Sequence, residues 1–166
     1  MSRLTYRIAM PRDLPFLIGL ILEDSIVPTG DDPADALHDN YVRALAIITA
    51  DPNQEMIVTE LDGEPVGCFQ LTYIPGLMRR GAWRGEIEVV HVRADKRNLG
   101  LGSEMMHWAI ERCRERNCSV VQLTSNKRRL DAHRFYERLG FQKSHEGFNY
   151  YLEAGRDPYL EGHTNV

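Results

Sequence analysis

Between a segment of period two and a segment of helical period lies the stretch Arg97-Asn98-Leu99-Gly100-Leu101-Gly102-Ser103, which most restricts what this chain can build. Upstream, Glu86-Ile87-Glu88-Val89-Val90-His91-Val92 is alternating and β-branched, the pattern of a strand. Downstream, Leu101, Met105, Met106, Ala109, Ile110 and Cys113 recur at helical spacing. Glycines at such a junction let the backbone approach a ligand closely, and the first helical N–H groups have no partner within the helix. A helix start of this kind attracts anions, phosphate above all. The segment therefore predicts a phosphorylated cofactor.

Two phosphate-binding patterns are excluded residue by residue. A Walker loop requires a lysine after its second glycine, and Ser103 follows Gly102. A dinucleotide fingerprint requires a third glycine where Met105 stands. What remains, Arg97-x-x-Gly100-x-Gly102 after a strand ending at Val92, resembles the cofactor signature of the GNAT superfamily of N-acetyltransferases, which bind the pyrophosphate of acetyl-CoA there. A second block follows the strand Val120-Val121-Gln122-Leu123-Thr124. Asn126, then Ala132, Phe135, Tyr136, Gly140 and Phe141, is similar to that superfamily's asparagine and its helix Ala-x-x-Phe-Tyr-x-x-x-Gly-Phe. Asn126 stands a few residues further from Ala132 than in the commonest version. The two blocks cover residues 86 to 141, about a third of the chain, in the expected order.

The resemblance implies a mixed α/β fold. Its sheet is twisted and mostly antiparallel, has six to seven strands flanked by about four helices, and splays between strands 4 and 5. Periodicity agrees along the chain. Leu4 to Ala9 reads as a strand, and Pro11 opens a helix with Leu14, Leu17, Ile18 and Ile21 on one stripe. A second helix would bury Ala36, Leu37, Tyr41, Leu45 and Ile48. Met56 to Leu61 and Val66 to Tyr73 form a hairpin turned by Asp62-Gly63-Glu64-Pro65, and Phe148 to Leu152 reads as a last strand. One domain over residues 1–154 and a polar tail over 155–166 are expected. With 166 residues the chain can bury a core without disulfides or metals. Cys68, Cys113 and Cys118 are odd in number and lack Cys-x-x-Cys spacing, which predicts reduced, core-packed thiols and a cytoplasmic protein. No apolar run is long enough for a membrane span, and Met1-Ser2-Arg3-Leu4 leads into polar sequence rather than a signal peptide. A net charge of −4 argues against a general nucleic-acid binder. His107, His133 and His145 share no ligand spacing, so no metal site is expected.

Acyl transfer to an amine requires that the amine lose a proton, that the thioester oxygen meet a donor, and that the departing thiolate meet an acid. By the resemblance, Tyr136 is the acid, and a phenol near pKa ~10 is protonated at neutral pH. The cofactor-binding set it implies is Val90, His91, Val92, Arg97, Asn98, Leu99, Gly100, Leu101, Gly102, Ser103, Asn126, Arg129 and Tyr136. A backbone N–H at Val90 to Val92, in a strand that family members bulge, would polarise the carbonyl. Glu86 or Glu88 is the base, with a water chain as the other possibility; burial would raise either toward neutrality. If pairing is regular, both glutamates share a face with Val90 and Val92, and His91 points to the other side. Arg93, Lys96 and Arg97, and Lys127, Arg128 and Arg129, are two basic clusters suited to the cofactor phosphates or to solvent.

The acceptor is expected to be a small-molecule primary amine. Glu23, Asp24, Asp31, Asp32, Asp35 and Asp39 favour a cation; Arg79, Arg80 and Arg84 with Trp83 and Tyr73 favour an anion-bearing acceptor. Two other functions fit the same signature: acetylation of a protein or peptide amine, and a non-catalytic acyl-CoA-binding or sensing module. Homodimers are frequent among relatives, and the sequence shows no interface.

Overall fold

The computed structural model describes residues 4–23, 25, 31–150 and 152. They fall in two compact units, residues 1–24 with 31–124 and residues 25–30 with 125–166.

The first unit holds a five-stranded sheet in the order β1-β2-β3-β4-β5. The strands are β1 Leu4–Ile8, β2 Gln54–Leu61, β3 Glu64–Ile74, β4 Trp83–Val92 and β5 Cys118–Leu123. β1 to β4 pair antiparallel; β5 joins β4 in parallel. The β2–β3 hairpin turns inside the expected Asp62-Gly63-Glu64-Pro65 segment but more tightly, on Asp62 at φ 52° and Gly63 at φ 84°, the left-handed pair of a two-residue type I′ turn, with Glu64 and Pro65 already paired in β3. Between β1 and β2 run α1 Leu14–Glu23 and α2 Asp39–Ala50. A single turn, α3 Met78–Gly81, caps the β3–β4 connection, and α4 Leu101–Glu115 crosses from β4 to β5.

The sheet buries its two faces differently. On one, Phe69, Leu71, Tyr73 and Ile87 are all within 1% of full burial. α4 packs there through Leu101, Met105, Met106, Ala109 and Cys113. Tyr6 stacks on Trp108 with ring centres 4.5 Å apart. Buried Glu55 holds Arg112 at 3.1 Å. On the other face, Leu14, Leu17, Leu20 and Leu45 from α1 and α2 cover Met56, Val58 and Cys68. At the edge of that cluster Arg7 grips buried Asp13 at 2.7 Å, which holds the Asp13 carboxyl below its ordinary range. Ala36 and Leu37 precede α2 and do not share its buried stripe; Leu37 is exposed.

In the second unit, α5 Leu130–Arg138 ends in a Schellman motif. Gly140, at φ 94°, donates to Glu137, and Phe141 donates to Tyr136. The Gly-Phe of the helix pattern is thus a helix stop.

The expected sixth and seventh strands are absent among the described residues. Residues 141–150 adopt no regular structure, and Phe148 and Tyr150 are 93% and 89% exposed. Alternation supplies a strand with an apolar face, but a strand exists only by hydrogen bonding to a neighbour, and among the described residues none pairs with Phe148 to Tyr150. The predicted tail lies outside the described residues.

Candidate active site

Pairing makes the two halves of β4 unlike. From Arg84 to Ile87 it is bonded on both sides, to β3 and, ending at Ile87↔Leu123, to β5. From Glu88 to Val92 it runs on with no β5 residue opposite. There the β3 register slips, with Gln70 opposite Glu88 but Cys68 opposite His91. Phe69 therefore faces two residues, Val89 and Val90, which is a β-bulge. Val89 sits at φ 54°, a left-handed conformation that a β-branched residue adopts only under constraint. Its carbonyl accepts from the Cys68 thiol at 3.6 Å. Burial pushes that thiol up to about 12.

The bulge corrects the expected alternation. Residues opposite one another in an antiparallel ladder share a face. Glu86 opposite Thr72, Glu88 opposite Gln70 and His91 opposite Cys68 therefore lie together on the α1–α2 face. Val92, opposite Gly67, lies with Ile87 on the α4 face, and Val90 alternates to the same side. Regular pairing would have put His91 opposite the glutamates; the extra residue reverses it.

The Glu88 side chain is exposed as a whole, and its carboxyl is raised first by the desolvation that its neighbours impose and second by the charge of Glu86. Glu86 accepts a hydrogen bond from Gln122 on β5. Neither glutamate pairs with Arg79, Arg80 or Arg84.

After Val92 the chain makes a short turn, Ala94–Lys96, and reaches the glycine segment. The Arg97 side chain folds back, donating to the Val92 carbonyl at 3.0 Å and meeting Glu23 of α1 at 3.4 Å. Glu23 also accepts from the Ala94 N–H. Asn98 at φ 63° and Gly100 at φ 80° turn the backbone into α4. The Gly100 carbonyl takes the Ser103 and Glu104 N–H groups, and a Cβ built on Gly100 would meet nothing within 4 Å. The helix start is therefore open where a phosphate would sit, with left-handed Gly100 as its corner. These residues fit a pyrophosphate.

In the second unit Asn126 is engaged in its own turn. Its side-chain oxygen accepts from Arg128 N–H, and its carbonyl lies 2.9 Å from His133 Nε2. The extra residues before Ala132 are this turn. Arg129 is the N-cap position of α5, and its N–H donates to the Asn126 carbonyl. The Tyr136 ring is set edge-on between Phe135 and Phe141, with centroids 5.2 and 6.0 Å away.

The contacts of Glu23, Gln122 and His133 were not foreseen, and the bulge that the resemblance implied was not placed at Val89. The first two act through contacts distant in sequence, and Val89 carries no glycine to announce its conformation.

The chain matches the Acetyltransferase (GNAT) family over residues 18–141 and belongs to it. An aminoalkylphosphonate N-acetyltransferase of Salmonella typhimurium is 35% identical over 98 residues, 59% of this chain and 63% of that protein. The chain thus aligns with less than two thirds of this relative's length. A Bacillus halodurans structure described as a transcriptional regulator superposes with a TM-score of 0.84 at 40% identity, covering 90% of this chain and 99% of that one. A Clostridium acetobutylicum acetyltransferase structure with acetyl-CoA has a TM-score of 0.68 at 18% identity, covering 90% and 96%, and shows the fold alone. Among the described residues, no helix is long and apolar enough to cross a membrane.

Proposed function

We propose that this protein is an acetyl-CoA-dependent N-acetyltransferase acting on a small-molecule primary amine. The observation that carries the reading is the bulged end of β4 leading into an open, glycine-cornered helix start, with a raised carboxyl beside the bulge. Arg97 to Ser103 would hold the cofactor pyrophosphate, and Val90 to Val92 would line its acyl arm. Acetyl-CoA, when bound, supplies the acetyl group as a thioester. Glu88 is the base that takes the ammonium proton of the acceptor, its carboxyl raised first by desolvation and second by Glu86, which Gln122 holds. The Tyr136 hydroxyl is the acid, an assignment supported by the helix pattern around it. The aminoalkylphosphonate-acetylating relative supports a small acceptor.

A second reading, an acyl-CoA-sensing module, is favoured by the similarity to the Bacillus halodurans regulator. Thiol release from acetyl-CoA across a panel of amines separates the two. The enzyme releases thiol with at least one small amine, and Tyr136→Phe lowers turnover by about 10²-fold while keeping cofactor affinity. Cofactor binding without turnover on any amine would leave the sensing module.

A further inference from the structure

The face of β4 that carries the glutamates also carries a cation. Arg84 stands opposite Ile74 on β3 and Val120 on β5, two residues before Glu86. Arg84, Glu86 and Glu88 therefore follow one another on one side of one strand. Each two-residue step covers about 7 Å, so Arg84 lies about 13 Å along the strand from Glu88. This part of the face is open. Arg84, Glu88 and Gln122 are exposed, and Val120 is 38% exposed. Under α1 and α2, by contrast, Val58 and Cys68 are fully buried on the same face. Arg84 makes no ion pair with any described residue. Arg79 and Arg80 lie in the left-handed turn beyond the ladder, and no pairing fixes their side.

We infer that Arg84 reads an oxyanion on the acceptor, so that the substrate is a short primary amine with a phosphonate or carboxylate at its other end. This rests on the acetyltransferase reading of the same face. A floor that is acidic at one end and cationic at the other orients such a molecule. Its ammonium lies by Glu88 and Glu86, and its oxyanion by the guanidinium, whose planar fork matches two oxygens at once. An amine lacking the oxyanion gains nothing from Arg84, and a diamine is repelled by it.

The test is thiol release with aminoethylphosphonate, its carboxylate counterpart β-alanine, and ethanolamine, in the wild type and in Arg84→Met. The wild type should favour an oxyanion-bearing amine over ethanolamine. In Arg84→Met the KM for that amine should rise by about 10- to 100-fold, the range for losing a charged hydrogen bond. Its kcat, the KM for acetyl-CoA, the rate with ethanolamine and the melting temperature should stay. Which of the two oxyanions shows the larger rise identifies the group that Arg84 reads. An unchanged KM for both, or equal use of ethanolamine by the wild type, would overturn the inference while leaving acetyl transfer standing. Thiol release with no amine would overturn both readings. Independently, ethylphosphonate, which has no amine to acetylate, should bind the CoA-loaded wild type and not Arg84→Met; equal binding, or none to either, would also overturn it.

Discussion

The two halves of β4 are consecutive in sequence and opposite in character. Arg84 to Ile87 is paired on both edges, with Ile87 1% exposed and Gly85 pressed under α4. Glu88 to Val92 has one neighbour, a register slip and a left-handed valine. The first half is where burial does its stabilising work; the second leaves backbone and carboxyl groups available. The contrast teaches that a sheet can carry a reactive end without weakening throughout, because the bulge confines the irregularity to residues that β5 does not reach.

The largest effect should come from breaking the packed half. Ile87→Ala removes a fully buried side chain beneath α4 and should cost about 3–4 kcal/mol, read as a fall in melting temperature or denaturant midpoint. Next comes the open half. Glu88→Gln should lower turnover about 10²-fold while leaving the melting temperature nearly unchanged. A base acts only when ionised, so wild-type turnover rises with pH through the Glu88 pKa. That pKa is raised, so the acid limb should lie above the ordinary carboxylate value of ~4.3, and the variant should lack it.

A third change sharpens the boundary between the halves. A Cβ at Gly85 would come within 2.4 Å of the Cys113 sulfur. Gly85→Ala should therefore cost about 1–3 kcal/mol, and Cys113→Ala in the same chain should recover part of it, a non-additivity that a double-mutant cycle measures. The smallest effect belongs to the bulge itself. Val89→Gly relieves a left-handed β-branched residue but loses its contact with the Cys68 cluster, so stability should move by less than about 1 kcal/mol.

Most of the packed half was legible in the sequence. Periodicity placed β1, the β2–β3 hairpin and α4 because their apolar spacing is the spacing of a buried face; α5, none of whose residues is buried, was placed by the resemblance. The Asp62-Gly63 turn was readable because only such residues accept two consecutive positive φ values at low cost. Failure came where structure depends on a partner distant in sequence. Phe148 to Leu152 has a strand's alternation, and among the described residues no strand pairs with Phe148 to Tyr150. The resemblance implied a bulge in β4, but Val89 has a strand's composition and a turn's conformation, so nothing in the sequence marked it as the extra residue that brings His91 to the glutamate face. Cys113 and Cys118 were read as separate core thiols, yet they are neighbours across the α4–β5 turn: burial first and Cys118 second push the Cys113 thiol up to about 12. Of the site, the glycine corner was legible as chemistry. The Glu23 clamp on Arg97 and Ala94 was not, since α1 and that loop lie far apart in the chain.

The most direct test of the account is thermal melting with acetyl-CoA, CoA, ATP and NAD, each at about 100 times a micromolar dissociation constant. A ligand bound at that ratio adds about 2.7 kcal/mol, a clear rise in melting temperature. The melting temperature should rise with both CoA species and with neither ATP nor NAD. No rise with either CoA species would contradict it, whatever else the open helix start at Gly100 proved to hold.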